Sequence, residues 1–367
     1  MNAVIACGGT GGHLFPGLAV AEALRERGHE VLLFISEKEI DSMAVAGCTD
    51  FRFERLPTVA LPSPFSPAIL AFLRRFNESL SLCRAIYRKF NPHAVLGMGG
   101  FTSTAPVLAG RMRGLPALLH ESNAVPGKAN RYTARFVRAV LLGFKECGAF
   151  FPKVRTEFTG TPIRSSLRPV DRGTAREKLG LRNDLTTLLV MGGSQGASGI
   201  NQAVIKSLPA LQHQSLQVIH LSGGRDERLL ADNYRRAKIP AYVAAFHHQM
   251  EYIYSAANFA IGRAGAASLA ELSAFSLPGI LIPYPYAAFD HQQRNAEIFS
   301  RADAAFILKE ADLTGDLLVT KIRQLLDDLP KRNAMALNSS KLASKNAAAL
   351  VVETIEKYSR QAEHARP

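Results

Sequence analysis

The stretch from Val4 to Gly17, Val-Ile-Ala-Cys-Gly-Gly-Thr-Gly-Gly-His-Leu-Phe-Pro-Gly, constrains the fold of this chain more than any other. Its apolar start predicts a buried strand, its glycines predict a tight turn, and Pro16 indicates a position near the start of a following helix. Glycines let the backbone approach a phosphate closely, and the N–H groups at a helix start point at such a ligand. His13 is the only titratable side chain in the turn. It is therefore the first candidate for chemistry.

The same pattern returns much later in the chain. The apolar run 188–191 leads into Gly192-Gly-Ser-Gln-Gly-Ala197, after which a second helix is expected. Each glycine loop opens its own series of alternating strands and helices, which favours parallel sheets. The sequence thus predicts an α/β protein of two Rossmann-like domains, with parallel sheets facing a cleft.

Length and composition agree with two domains. The chain has 367 residues, of which 47% are hydrophobic and 20% charged, enough for two α/β cores of ordinary size. No run approaches the roughly eighteen apolar residues of a membrane span, and the N-terminus enters the first strand directly, so we expect no signal peptide. The four cysteines are scattered without a Cys-x-x-Cys pair. That spacing favours free thiols in a reducing cytoplasm and no zinc site.

The net charge of +13 suggests an anionic partner. Nucleic acid, an anionic membrane surface and a phosphorylated substrate all fit, and so does an excess of solvated surface charge. The sequence has no helix-turn-helix, RNA-recognition or zinc-finger pattern, so we expect no nucleic-acid partner.

The region from Phe65 to Lys89 is the candidate membrane surface. Apolar residues recur there at three- and four-residue spacing, a helix pattern, and they are Ile69, Leu73, Phe76, Leu80, Cys83 and Tyr87. Leu70 and Phe72 lie off that stripe among several arginines and lysines. Apolar side chains beside basic ones suit an anionic membrane; a wide core face with a solvated basic side is the alternative.

Polar and glycine-rich clusters follow several predicted strands, and ligands bind at that edge of an open α/β sheet. In the first domain these are Gly97–Gly100 and His120-Glu-Ser-Asn123. The turn-rich stretch 159–164 is the expected linker. We expect an N-terminal domain over 1–163 and a C-terminal domain over 164–339, with a helix from about 340 that packs back on the first domain.

The second domain carries a candidate nucleotide segment. The turn 262–265 enters a helix expected to start near Ala266, which places Glu271 in its first turns. A carboxylate there can accept both hydroxyls of a ribose, or can simply be a favourable charge near a helix start. Gln292 and Gln293 begin a further helix, where their amides suit sugar hydroxyls or ordinary capping.

The motifs exclude some chemistry and favour one class. The first loop is not Gly-x-Gly-x-x-Gly and neither loop is a Walker A motif, which argues against a dehydrogenase or a P-loop enzyme. A nucleotide-sugar glycosyltransferase fits better: helix N-termini can take the charge of a departing diphosphate without a metal, and no Asp-x-Asp motif is present. His13 suits a general base, or a phosphate contact or cap. His247-His248 has no further clustered ligand, so no metal and no cofactor are expected.

Taken together in order, these motifs closely resemble the bacterial MurG family, the undecaprenyl-pyrophosphoryl-muramoyl-pentapeptide N-acetylglucosaminyltransferases of glycosyltransferase family 28. The resemblance covers nearly the whole chain. It implies a GT-B fold and inverting, metal-independent transfer of N-acetylglucosamine (GlcNAc) from UDP-GlcNAc to the C4 hydroxyl of lipid I, which gives lipid II for peptidoglycan synthesis. It also implies a peripheral enzyme on the cytoplasmic face of the cell membrane, held by the Phe65–Lys89 region.

The resemblance also implies roles for individual residues. His13 becomes the candidate base, His247 a backbone contact to the nucleotide base, and Glu271 the ribose contact. The further residues implied to contact the donor are Thr10, Gly11, Gly12, Asn123, Arg164, Ser194 and Gln293. The residues Ala266, Ala267, Ser268, Leu269 and Ala270 are implied to hold the nucleotide, and Gln292 is implied to bind substrate. The chain departs from the family's pattern at Ser122, usually Gln, at Ala264, usually Ser, and before Met250, where an acidic residue is usual.

Two other classes remain open. UDP-GlcNAc 2-epimerases share the two-domain plan and the donor, but they need additional acid–base carboxylates in the cleft. A nonenzymatic nucleotide-sugar sensor would leave His13 and the polar cluster around Asn123 without a chemical task. Loss of activity with retained donor binding in His13→Ala would separate a transferase from a sensor.

Overall fold

The structure is a computed structural model that describes residues 1–38, 41, 50–57, 62, 66–193 and 196–364. It divides into two compact units. The first contains Met1–Ser165 together with the last helix, Ala347–His364, and the second contains Ser166–Lys345.

The first unit is built on a parallel sheet. Within the described residues its strand order is β3-β2-β1-β4-β5-β6-β7. The strands are β1 (Asn2–Ala6), β2 (Glu30–Ser36), β3 (Arg52–Leu56), β4 (Ala94–Gly97), β5 (Ala117–Glu121), β6 (Ala139–Leu142) and β7 (Thr156–Phe158). All described pairs are parallel, for example Val4 with Leu32 on one side and with Val95 on the other. The loops that follow these strands therefore share the carboxyl edge of the sheet.

Helices cover both faces of this sheet, which is why its central strands read as continuous apolar runs. The helices are Gly11–Glu26, Ala68–Phe90, Thr104–Met112, Lys128–Thr133 and Ala347–His364, with short 3₁₀ turns at Phe101–Ser103, Ala134–Phe136 and Lys145–Phe150. The last helix buries Val351, Val352 and Ile355 in the same core cluster as Leu14 and Leu18.

The first helix begins earlier than the sequence predicts. It starts at Gly11, so that Pro16 is its sixth residue and not one of its first. Glycine is tolerated in a first turn, where N–H groups need no helical partner. Gly17 explains the close packing that follows: a Cβ there would lie 2.3 Å from Cys7 Cβ on the strand side.

The helix Ala68–Phe90 matches the predicted region, but the apolar stripe is only partly core. Cys83 and Tyr87 are buried, whereas Leu73, on the same stripe, is 48% exposed, and Leu70 is 74% exposed. The apolar N-terminal half of this helix is thus largely open to solvent. Phe65 and most of the proline-rich stretch 61–67 lie outside the described residues.

The second unit repeats the plan with its own parallel sheet. Among its described residues the order is β10-β9-β8-β11-β12-β13. The strands are β8 (Thr186–Met191), β9 (Leu216–Leu221), β10 (Ala241–Ala244), β11 (Phe259–Gly262), β12 (Gly279–Leu281) and β13 (Ala305–Ile307). The helices are Arg172–Lys178, Ser198–Leu211, Glu227–Arg236, Met250–Ala256, Ala266–Ala274, His291–Arg301, Gly315–Leu326 and Leu329–Lys341, with 3₁₀ turns at Ala288–Asp290 and Glu310–Asp312.

Two features bear on the class of protein. None of the described helices is long and apolar enough to cross a membrane. Cys7, Cys83 and Cys147 are buried free thiols, as their spacing predicts; Cys48 lies outside the described residues.

Candidate active site

The first glycine loop presents a helix start. Thr10 is the extended N-cap residue, and its side chain caps none of the first-turn N–H groups. Gly11 and Gly12 follow as the first two helical residues, and His13 is the third. Thr10 and Gly12 are exposed and Gly11 and His13 half-buried. The first-turn N–H groups of this helix thus suit an anion.

The His13 ring lies against the glycine turn that follows β4. A Cβ on Gly99, whose φ is +113°, would stand 2.7 Å from His13 Cε1 and 2.9 Å from His13 Nδ1. It would also stand 3.3 Å from Asn130 Nδ2. Glycine at 99 therefore lets the imidazole and the Asn130 amide approach the same stretch of backbone.

Glu121, at the end of β5, accepts several hydrogen bonds at this edge of the sheet, one of them from the same Asn130 amide. Its Oε1 accepts from Asn123 N at 2.9 Å and Asn123 Nδ2 at 3.0 Å. Its Oε2 accepts from Gly127 N at 3.2 Å and Asn130 Nδ2 at 2.7 Å. With four N–H donors on its two oxygens, this buried carboxylate holds the loop that carries Asn123 and is poorly placed to take a substrate proton.

Asp41 fixes the other side of the first loop. Its Oδ2 accepts from Gly9 N at 2.6 Å and from the Ser36 hydroxyl and N–H at 2.5 and 3.0 Å. The Gly9 N–H is thus already hydrogen-bonded within the protein. The first helical residues, Gly11 and Gly12, take no part in this contact. No motif in the sequence indicates this contact, because Asp41 comes five residues after β2 ends.

His120 and Arg164 also lie at this edge of the sheet, in different surroundings. His120 is fully buried, where Nε2 pairs with Gly160 O at 2.9 Å and Nδ1 with Ser122 Oγ at 3.2 Å. Burial lowers the pKa of His120 to about 4, so its imidazole is neutral at pH 7. The Arg164 guanidinium lies 4.8 Å from the centre of the Phe15 ring, and its Nε has no partner within the part of the chain that is described.

The second glycine loop packs tightly behind β8. A Cβ on Gly192 would stand 2.3 Å from Ala197 N, and one on Gly196, at φ +74°, would stand 2.6 Å from Ser222 O. The helix Ser198–Leu211 follows. Ser194 lies outside the described residues.

The predicted nucleotide segment does begin a helix at Ala266, with Gly265 as its extended N-cap. Ala266 and Leu269 are buried, whereas Ala267, Ser268, Ala270 and Glu271 are half-buried. Glu271 Oε2 accepts a hydrogen bond from the Tyr254 hydroxyl at 2.5 Å. This bond joins the helix Ala266–Ala274 to the helix Met250–Ala256.

Arg263, just before that helix, forms a two-point ion pair with Glu310. Nη1 lies 2.7 Å from Glu310 Oε2 and Nη2 lies 3.1 Å from Oε1, while Nη1 also donates to Ile282 O at 3.2 Å. The two side chains are only 11% and 23% exposed. The Glu310 carboxylate rests on Gly199, where a Cβ would stand 2.0 Å from Oε1. The pair ties β11, β12 and β13 to the helix after the second loop.

The remaining candidates have protein partners. His247 Nδ1 pairs with the Tyr242 hydroxyl at 3.0 Å, and burial lowers its pKa from the ordinary value. His248 instead packs its ring on Phe246. Gln292 Oε1 accepts from Tyr284 N at 2.9 Å, and Gln293 Nε2 donates to Glu297 at 3.2 Å. No described group of three or more His, Cys, Asp and Glu residues is arranged to hold a metal ion.

The structure thus collects the candidates at two sheet edges. Thr10, Gly11, Gly12, His13, Asn123 and Arg164 belong to the first unit. His247, Ala266–Glu271, Gln292 and Gln293 belong to the second. Sequence reasoning does not identify Asn130, Tyr254 or Glu310 as site residues. The signal at Tyr254 is a hydroxyl among apolar residues, because a buried polar group normally has a hydrogen-bond partner.

Comparison with protein families covers most of the chain. The Glycosyltransferase family 28 N-terminal domain matches residues 3–142, and the Glycosyltransferase family 28 C-terminal domain matches residues 187–351. Each match falls within one of the two units, apart from the start of the last helix.

Individual relatives agree with the family. A protein of Halothermothrix orenii is 37% identical over 97% of this chain and 98% of its own length. It is named UDP-N-acetylglucosamine--N-acetylmuramyl-(pentapeptide) pyrophosphoryl-undecaprenol N-acetylglucosamine transferase. The crystal structure of Acinetobacter baumannii MurG matches with a TM-score of 0.77 and 26% identity, over 97% of this chain and 99% of that one.

A structure described as a putative UDP-N-acetylglucosamine 2-epimerase from Listeria monocytogenes also matches, with a TM-score of 0.70 and 98% and 97% coverage. At 11% identity this likeness concerns the fold alone.

Proposed function

Because this chain belongs to glycosyltransferase family 28, we propose that it transfers GlcNAc from UDP-GlcNAc to the C4 hydroxyl of the MurNAc residue in lipid I, which forms lipid II. The naming of relatives at 34–38% identity over nearly their whole length supports this assignment. The observation that carries the mechanism is the His13 imidazole at a glycine-rich helix start, seated on Gly99.

The reaction is a single displacement. The C4 oxygen of MurNAc forms a bond to C1 of GlcNAc, the bond from C1 to the diphosphate oxygen breaks, and the hydroxyl proton passes to the His13 imidazole. A histidine is suited to this step because its pKa lies near neutrality. Gly11 and Gly12 at the helix start suit a phosphate of the donor, since backbone N–H groups there favour an anion.

The second unit is proposed to hold the donor. Glu271 accepts the ribose hydroxyls, the segment Ala266–Ala270 lies along the nucleotide, and His247 offers its backbone to the uracil. Ser194 and Gln293 are proposed to contact the phosphates and sugar, with Thr10, Asn123, Arg164 and Gln292 as further substrate contacts. Helix N-termini at Ala266 and Ser198 would favour the negative charge of the departing UDP.

Inversion and metal independence are part of the proposal. A retaining double displacement needs a nucleophile such as a carboxylate, and Glu121, a buried carboxylate at the same edge of the sheet, already accepts four N–H donors. The sequence has no Asp-x-Asp clamp. Helix starts and arginine can stabilise the leaving diphosphate directly.

We further propose that the enzyme works on the cytoplasmic face of the cell membrane, as a peripheral protein. The support is the exposed apolar half of the helix Ala68–Phe90, where Leu70 and Leu73 are exposed beside Arg74 and Arg75. Such a surface combines apolar burial with about 1 kcal/mol per basic residue near an anionic lipid surface.

A vesicle-binding assay tests the membrane surface. Leu70→Ser with Leu73→Ser is expected to weaken sedimentation with phosphatidylglycerol vesicles at least tenfold. Leu337→Ser, a matched change at a leucine 59% exposed in the second unit, should bind as the wild type does. Equal binding by all three proteins would rule out this helix as the membrane contact.

The proposed base is tested by His13→Ala. Turnover should fall by about 10²–10⁴-fold, while UDP binding measured by calorimetry stays unchanged, since the proposed contacts to the uracil and the ribose lie in the other unit. A variant that keeps turnover would remove His13 from the chemistry. Loss of UDP binding together with turnover would instead make His13 a donor contact.

A further inference from the structure

Tyr254 is a buried residue that no part of the proposed mechanism uses. It lies on the helix Met250–Ala256, and its side chain is only 1% exposed. Its hydroxyl donates to Glu271 Oε2 at 2.5 Å and lies 3.8 Å from Met191 Sδ at the end of β8. One phenol thus connects a sheet strand, its own helix and the carboxylate of the nucleotide segment.

The surroundings make Tyr254 a rigid support. Its ring packs against Phe275 with the ring centres 5.1 Å apart, just beyond the helix that carries Glu271. A tyrosine has two side-chain torsions and little freedom once its ring is buried. Glutamate, by contrast, has a long flexible side chain, and here it is half-buried. The hydrogen bond therefore restrains the flexible partner and not the rigid one.

The chemistry of the contact suits a supporting role. A hydroxyl that donates to a carboxylate forms a short, strong, charge-assisted bond. A carboxylate has about four acceptor positions on its two oxygens, and Tyr254 uses one of them. The bond thus fixes the direction of the carboxylate.

We propose that Tyr254 is a positioning residue that orients the Glu271 carboxylate toward the ribose hydroxyls of the donor, and so sets the preference of this site for ribonucleotides. This inference rests on the proposed function only through the assignment of Glu271 to the ribose. A correctly aimed carboxylate gains a charge-assisted bond from each hydroxyl, and a 2′-deoxyribose offers one fewer. A bond of that kind is typically worth about tenfold to a hundredfold in affinity.

The test compares Kd values for UDP and 2′-deoxy-UDP by calorimetry. Tyr254→Phe removes one oxygen and keeps the ring on Phe275; since its partner Glu271 is half-buried and can be hydrated, the variant should fold, which thermal unfolding checks. The wild type should prefer UDP about tenfold or more, and Tyr254→Phe should bring that ratio close to one. Affinity for 2′-deoxy-UDP should change little.

The matched control is Tyr252→Phe, the same substitution on the same helix. The Tyr252 ring packs under Lys178, whose ammonium lies 3.8 Å from the ring centre, and this variant should keep the wild-type preference. Glu271→Gln should lose the preference as well. Adding Tyr254→Phe to Glu271→Gln should change the ratio no further, because Tyr254 acts through Glu271.

The other possible results would refute the role of Tyr254, the assignment of Glu271 to the ribose, or the proposed function. If Tyr254→Phe keeps the full preference while Glu271→Gln loses it, Tyr254 has no positioning role. If both variants keep it, Glu271 does not recognise the ribose and the inference fails with that assignment. If the wild type binds neither nucleotide, the proposed function itself fails.

Discussion

Gly99→Ala is the sharpest perturbation that the site offers, because it acts on His13 without changing it. The new Cβ would stand 2.7 Å from His13 Cε1, whereas ordinary contact begins at 3.4 Å, so the ring must withdraw by about 0.7 Å. A misplacement of about 1 Å in a catalytic group can cost about 10²-fold in rate. We therefore expect kcat to fall about 10²-fold, with the UDP affinity unchanged.

The control separates displacement of the ring from backbone strain. Gly114→Ala also places alanine at positive φ, +73°, but its Cβ would meet nothing within 4 Å. Both variants should lose about 1–2 kcal/mol of stability from the left-handed backbone, and only Gly99→Ala should lose turnover.

The assay is steady-state release of UDP with a lipid I analogue, normalised to folded protein, together with calorimetry of UDP binding. If the kcat of Gly99→Ala stays within about threefold of the kcat of Gly114→Ala, the contact between the His13 ring and Gly99 does not control the reaction rate. The geometric argument for His13 would then be wrong.

Two further predictions concern the stability of the fold. Glu310→Ala should lower the free energy of unfolding of the second unit by about 3 kcal/mol, because it leaves the mostly buried Arg263 guanidinium without its carboxylate partner. The control Asp184→Ala breaks an exposed ion pair with Arg182 and should change the free energy of unfolding little. Equal losses for the two variants in denaturant titrations would contradict this prediction. Burial lowers the pKa of His120 to about 4 and of His220 to about 3, from 6.5. Their contribution is therefore complete above pH 6.5 and is lost as the pH falls toward those values, by about 1.4 kcal/mol per pH unit for each imidazole. Urea unfolding at pH 7, 6 and 5 should follow this slope, and His220→Gln should remove the second unit's share; a flat profile would be inconsistent with neutral buried imidazoles.

The sequence predicted most of the fold because the central strands of a parallel sheet are buried on both faces and read as apolar runs. The runs in β1, β2, β8 and β11 are of this kind. The helix start at Ala266 followed from a glycine turn after such a strand. The strands that were missed, β7 and β13, have only three residues each and end their sheets. An edge strand needs less apolar surface, so its pattern is weak.

The contacts within the site were harder to foresee. Which glycine loops meet at one edge follows from strand order, and those loops were named correctly. Partners such as Tyr254 with Glu271, and Arg263 with Glu310, are 17 and 47 residues apart. Their meeting depends on how separate helices and loops pack, which periodicity does not encode. The sequence identifies Gly99 only as a turn residue. The structure shows that the His13 ring occupies the space that a Cβ at position 99 would need.

This chain is proposed to transfer GlcNAc from UDP-GlcNAc to lipid I. The most direct measurement follows UDP release from UDP-GlcNAc with and without a lipid I analogue, in EDTA, and identifies the lipid product by mass spectrometry. We expect UDP release that depends on the acceptor, persists in EDTA, and yields a product heavier by one GlcNAc residue. Release without regard to the acceptor would refute the acceptor assignment, and conversion of the donor into its C2 epimer would identify an epimerase instead.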